Sequence, residues 1–410
     1  MMKSLFLCLG LIIQRIIYLK KEIEYNIMES LILKIEKAIW ESAMIENRVG
    51  LMDGLSGVAM FYDNMYKVYG IEEYRDKLLS IVDRINLLLS ENETSSNLCT
   101  GIAGYGLMLI RLQEKSVEID KEYFESIDLI LQEDLYDSSA ENNYDYLHGS
   151  IGIAMYFIER YKTNKNGLIV EILDKFSKEL IHKINFDFEK VLIEPVFNDK
   201  HCYYFGLAHG VSGYLNFLIY LKNNFSEMSQ DITESLDIAI TFLRNHKNRN
   251  INDIQYYPNL LILETNEFVK PMVAWCQGDL GISNALYSSG VYLNDDALVK
   301  EASQLVNNIS TISLEDSGIG DFGMCHGCIG IIVQYHLASL NLNHDYSTEI
   351  NKWYRILDRK TNNFENLSSS NNDVDLKEIN LLDGLAGLGL GLLTVDEKID
   401  TGWLQLFNLH

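Results

Sequence analysis

The chain has 410 residues, 47% of them hydrophobic and 22% charged, enough apolar material for a large buried core. Against 34 Lys and Arg stand 58 Asp and Glu, and the formal charge of −24 repels phosphate backbones and argues against nucleic-acid binding. Only three prolines interrupt it, which favours long helices, and six irregularly spaced cysteines do not make a disulfide framework. Metal or catalytic use of those thiols in a reducing, cytoplasmic compartment fits better.

In chain order, residues 1–25 predict a lead-in helix. Its apolar run from Leu5 to Ile13 follows Lys3, but no small-residue cleavage site comes after, and Gln14, Arg15, Lys20 and Lys21 do. The run is also shorter than the roughly 20 residues that span a bilayer. Packing on the body is expected, with peripheral contact to the inner face of the membrane as the alternative.

Residues 26–410 read as one unit built on a repeat. A Gly-x-x-Gly turn followed by an apolar run occurs seven times: DGLSGVAMFY from Asp53, TGIAGYGLML from Thr100, HGSIGIAMYF from His148, HGVSGYLNFL from His209, QGDLGISNAL from Gln277, HGCIGIIVQY from His326 and DGLAGLGLGL from Asp383. Spacings between the first glycines run from 47 to 68 residues, room for two helices and their turns. Each run is apolar all round, as a buried helix is. Stretches such as Tyr74 to Leu89 and Leu168 to Ile184 are amphipathic and half exposed. The alternation predicts an all-α fold, an α/α toroid with seven inner and seven outer helices, with an open solenoid as the competing architecture. The glycines are expected to supply φ > 0 and close helix approach at the turns. Phe186 to Phe197 reads as strand, part of a small β insertion near residues 186–204, and Asn363 to Asn380 as an exposed loop.

Aligned on the first glycine, the preceding position is polar in all seven repeats: Asp53, Thr100, His148, His209, Gln277, His326 and Asp383. The position before it holds Met52, Cys99, Leu147, Ala208, Cys276, Cys325 and Leu382. A ring gathers these columns at one end of its central cavity, where convergent polar groups make a binding site. Adjacent repeats five and six then contribute Cys276, Cys325 and His326. Two thiolates and one imidazole, with a fourth position open, match catalytic zinc. Cys328 falls among apolar positions of the alignment and Cys99 lies far round the ring, so both are read as structural. His209 and His148 have the side chain suited to proton transfer near neutrality. Asp145 either orients a histidine, moves a proton itself or caps a helix.

The runs AWCQG around Cys276, CHG at Cys325 to Gly327 and GLAHG ending at Gly210 resemble the signature of lanthionine synthetase C-type cyclases, and the seven repeats extend the resemblance over nearly the whole chain. It implies an α,α-toroid and a zinc enzyme that adds cysteine thiols of a dehydrated precursor peptide to dehydroalanine or dehydrobutyrine, closing thioether rings. It also implies His209 as proton donor, Asp145 as a further active-site acid, and a separate dehydratase and ABC exporter as partners. The chain departs from the pattern at Gln277 (commonly Tyr), Met272 (commonly Arg), and Ser212 and Leu280 (often Pro). Two other functions compete: a transferase adding a small thiol such as glutathione, and a catalytically silent scaffold for precursor peptide.

Overall fold

Seven times the chain leaves an amphipathic helix, passes through a glycine turn and enters an apolar one. The computed structural model describes residues 28–113, 117, 119–196, 200–247, 254–361 and 378–410; the expected lead-in helix over residues 1–25 lies outside them, as does most of the Asn363–Asn380 loop. The apolar helices are α2 (Leu55–Tyr69), α4 (Ile102–Gln113), α6 (Ser150–Thr163), α8 (Val211–Asn224), α10 (Asp279–Leu293), α13 (Cys328–Leu342) and α15 (Leu385–Val395). Each packs on the next, and α15 packs back on α2, closing the inner ring. The outer ring is α1 (residues 28–43), α3 (Glu72–Glu91), α5 (Lys121–Ala140), α7 (Gly167–Leu192), α9 (Thr233–Asn245), α11 (Asp296–Ile309) and α14 (Ser347–Thr361). A single turn of helix, α12 (Leu314–Ser317), precedes the sixth repeat. The protein is an α/α toroid.

Burial follows the pattern of each sequence. All residues of α15 from Leu385 to Thr394 are buried. On α3 only Tyr74, Leu78, Ile81, Ile85 and Leu88 are, at the three- and four-residue spacing of one helix face. No helix among the described residues is long and apolar enough to cross a membrane.

The glycine turns are stitched together by their backbones. Met52 N–H donates to Cys99 O, Cys99 N–H to Leu147 O, Trp275 N–H to Cys325 O, Cys325 N–H to Leu382 O, and Leu382 N–H to Met52 O, all at 2.9–3.0 Å. The column of Cys276 and Cys325 is therefore the one in which neighbouring turns touch. Glycine is needed for this contact more than for its φ. Gly54, Gly149, Gly210, Gly327 and Gly384 all have negative φ, and Gly278 (φ 91°) alone of the first glycines takes a positive φ. At six of the seven second glycines a Cβ would overlap the carbonyl six residues back, as at Gly330 against Met324 O and Gly387 against Leu381 O.

An antiparallel sheet of order β1-β2-β3-β4 lies over the fourth repeat, with β1 Ile193–Val196, β2 Lys200–Tyr204, β3 Leu260–Ile262 and β4 Glu267–Val269. The strands begin later than Phe186. Residues Phe186 to Leu192 stay helical, kinked at Asp187 (φ −158°, ψ 77°), because Ile184, Phe188, Val191 and Leu192 still bury one helical face. At the ring's centre a 3-10 helix, Thr401–Phe407, and the residues after it are held by the inner wall. Trp275 Nε1 donates to Phe407 O at 2.7 Å, Tyr146 Oη to Leu406 O at 2.9 Å and Asn216 Nδ2 to Asn408 O at 2.7 Å.

Candidate metal centre and acid–base pair

Cys276 ends a turn anchored on both sides. Trp275 is fully buried, its backbone N–H donating to Cys325 O and its ring standing edge-on to Phe407. Cys325 is buried one repeat on, and His326 begins the sixth glycine turn. The two sulfurs and a His326 ring nitrogen all lie within 4.8 Å of one another, with Cys325 Sγ 3.5 Å from His326 Nε2. Tetrahedral zinc bound by sulfur and nitrogen places its ligand atoms roughly 3.5–3.8 Å apart, so this donor set needs only small adjustment to take one. Among the described residues it is the one group of His, Cys, Asp and Glu with such spacing.

The electrostatics favour a thiolate site. A hydrogen bond from Cys325 outweighs burial and, with His326, brings the Cys276 thiol down to about 5. The same bond to Cys276, with burial, pushes Cys325 well above the usual thiol range, so the pair shares one proton. His326 is raised to about 10, first by Asp383 and then by Cys276, against burial. Asp383 Oδ1 stands 3.7 Å from His326 Nδ1. At that separation the carboxylate charge favours a proton on Nδ1 without hydrogen-bonding it, and Nε2 is left facing Cys325, an arrangement close to that of an outer-shell carboxylate at a metal site.

The GLAHG turn abuts Cys276: a Cβ on Gly206 would overlap Cys276 O, and Ala208 N–H points to the same carbonyl at 3.5 Å. His209, the next residue, meets Asp145 Oδ2 through Nδ1 at 2.6 Å. Asp145 is buried, and its other oxygen accepts from the backbone N–H of Leu147 (3.0 Å) and His148 (2.7 Å). It thus caps its own turn and orients a histidine at once. Burial lowers the His209 pKa, but the hydrogen bond and charge of Asp145, with smaller effects of Cys276 and Glu194, carry it above the ordinary 6.5. His148 stacks on His209 with ring centroids 6.2 Å apart, its own pKa lowered mainly by burial.

Cys328 is buried at the start of α13, and Cys99 is buried in the second repeat; neither joins the ligand group. Asp383 went unassigned in the sequence although it occupies the same column as His326, one repeat on. Glu194 and Tyr204, which line a cavity with Asp145, His148 and His209, come from strands β1 and β2 of the sheet.

A sequence profile described as "Lanthionine synthetase C-like protein" matches residues 46–407. The chain belongs to this family. It is 24% identical over 352 residues to the nisin biosynthesis protein NisC of Lactococcus lactis subsp. lactis, covering 78% of this chain and 80% of that one. Its fold matches a solved structure of nisin cyclase with a TM-score of 0.69 at 21% identity, over 93% of this chain and 97% of the other.

Within this lanthionine synthetase C-like chain three of the four sequence departures have local explanations, and nothing in the structure explains Leu280. Ser212 braces its turn by donating from Oγ to Phe205 O at 2.7 Å, as Ser56 does to Val49 O. Gln277 is turned to its own backbone, Oε1 accepting from Met272 N–H at 3.3 Å. Met272 packs on Gly318, where a Cβ would press against its side chain.

Proposed function

We propose that this chain is a zinc-dependent peptide cyclase that adds cysteine thiols of a dehydrated precursor peptide to dehydroalanine or dehydrobutyrine. The observation carrying the proposal is the open Cys276, Cys325 and His326 set lying beside the Asp145–His209 pair on touching turns. Zinc held by those three residues would acidify a substrate thiol, making a thiolate available at neutral pH.

The remaining chemistry falls to the chain's own groups. The substrate sulfur forms a bond to the alkene β-carbon, and the π pair moves onto the α-carbon and its carbonyl as an enolate. His209, with Nδ1 held by Asp145 and Nε2 without a hydrogen-bond partner among the described residues, gives a proton from Nε2 to the α-carbon. The raised His209 pKa keeps that proton in place at a pH where an isolated imidazole would have lost more of it. The thiol proton replaces it, so the addition is isomeric and has no by-product. The dehydrated residues come from a separate dehydratase, and a separate exporter takes the product.

The test is to incubate the zinc-loaded protein with a peptide carrying one dehydroalanine and one cysteine, then count free thiols by alkylation. Loss of the alkylatable thiol at unchanged peptide mass supports cyclisation. Gain of one glutathione mass in a parallel reaction, with the peptide thiol untouched, would favour the thiol transferase. Binding with neither change would favour the silent scaffold.

A further inference from the structure

One carboxyl beside the proposed acid–base pair takes no part in that chemistry. Glu194 lies on edge strand β1, its backbone opposite Cys202 of β2, so the sheet rather than the toroid positions it. It lines a cavity of about 470 Å³ together with Asn143, Asp145, His148, Tyr204 and His209. The side chain is largely withdrawn from solvent and has no hydrogen-bond partner among the described residues, while neighbouring polar groups are satisfied: Asp145 by two backbone N–H groups and His209, and Ser150 Oγ by Asn143 O. A carboxyl on a cavity wall with no protein partner among the described residues leaves its hydrogen bonds to whatever fills the cavity. Burial, with the Asp145 charge and against His209, pushes Glu194 up to about 7. Near neutrality it is therefore able both to donate and to accept a hydrogen bond.

We propose that Glu194 is a substrate-binding residue whose carboxyl hydrogen-bonds the peptide backbone around the dehydrated residue, holding the alkene against His209. The proposal rests on the cyclase reading above. A peptide amide offers an N–H and a carbonyl, which suits a carboxyl that can take either role, and His209 across the cavity is the group that must reach the α-carbon. The sheet would then act as the wall that aligns the acceptor alkene, while the toroid carries the thiol site.

The experiment measures calorimetric binding of a short peptide carrying dehydroalanine, with serine in place of its cysteine so that it cannot close. It compares wild type, Glu194→Ala and Glu194→Gln, all zinc-loaded. Binding by Glu194→Ala should be roughly 3- to 10-fold weaker, the range of one lost hydrogen bond, and Glu194→Gln should return to within about twofold of wild type. Zinc content and melting temperature should be unchanged in both. If the alanine variant fails to fold, Glu194→Met keeps the bulk without the hydrogen bond and is read the same way. Equal binding by wild type and Glu194→Ala overturns the proposal, as does a Glu194→Gln variant as weak as alanine. Thiol loss from the cysteine-bearing peptide is followed separately. Wild-type binding without thiol loss would sink the cyclase reading alone, whereas no binding by the wild type would sink both.

Discussion

Replacing Asp145 by Asn changes one charge and almost no volume, and it should disable His209 without disturbing the metal ligands. The new amide oxygen can still accept from the N–H groups of Leu147 and His148, so the turn survives. Its NH₂, however, would face His209 Nδ1, where a protonated ring must itself donate. The ring is then driven to the neutral form with Nδ1 as acceptor. A hydrogen bond between charged groups is worth about 1.5–3 kcal/mol. His209 keeps 35% of its side-chain surface in solvent, which screens the pair, and the lower part of that range applies. About 1.5–2 kcal/mol corresponds to a roughly 10- to 30-fold loss of kcat at pH 7. The assay is thiol consumption by zinc-loaded protein between about pH 5.5 and 8.5. Because Asp145 raises the His209 pKa, wild-type activity should persist above pH 6.5 and fall as pH rises through that raised value, and the variant's fall should come at lower pH. The same pair contributes folding stability that is full below 6.5 and lost as pH rises through the native pKa, and Asp145→Asn should remove that slope. An Asp145→Asn enzyme within twofold of wild type at pH 7, with an unmoved profile, would refute the assignment of His209 as proton donor.

Asp383→Asn should weaken zinc binding by about 10- to 100-fold, measured by competition with a chromophoric chelator, because His326 loses the neighbouring carboxylate charge that favours a proton on Nδ1. Cys328→Ala should leave zinc at its wild-type stoichiometry, whereas Cys276→Ala and Cys325→Ala should both lose it; metal analysis of the three purified variants decides. Gly330→Ala should destabilise by about 1–3 kcal/mol in a denaturant titration, since its Cβ would press on Met324 O inside the stitched turns.

The architecture was legible in the sequence because one turn recurs seven times and the ring puts equivalent residues in equivalent places. That is why Cys276 and Cys325 could be paired from an alignment: their column is where adjacent turns exchange backbone hydrogen bonds. A positive φ, expected of the turn glycines, is needed at Gly278 alone of the first glycines; the others serve steric closeness. Asp383 was readable in principle, being in the His326 column of the neighbouring repeat, but the repeat spacing alone does not say that its carboxylate reaches the His326 ring. Asp145 stood outside the column, and nothing in the spacing says that its two oxygens divide between a turn and His209. Glu194 could not be found that way, because it comes from strand β1, inserted between α7 and α8 and outside the Gly-x-x-Gly repeat. The segment from Phe186 misled for a related reason: its aromatic and β-branched residues suit a strand, yet their spacing continues the buried face of α7.

Cys276, Cys325 and His326 are proposed to hold zinc with one position open for a substrate thiol. X-ray absorption at the zinc edge tests it directly, on wild-type protein with and without a cysteine-containing peptide. The account predicts two sulfur ligands and one imidazole without peptide, and three sulfurs with it. A sulfur count that stays at two on saturation with peptide, or a site already closed by four protein ligands, would contradict it.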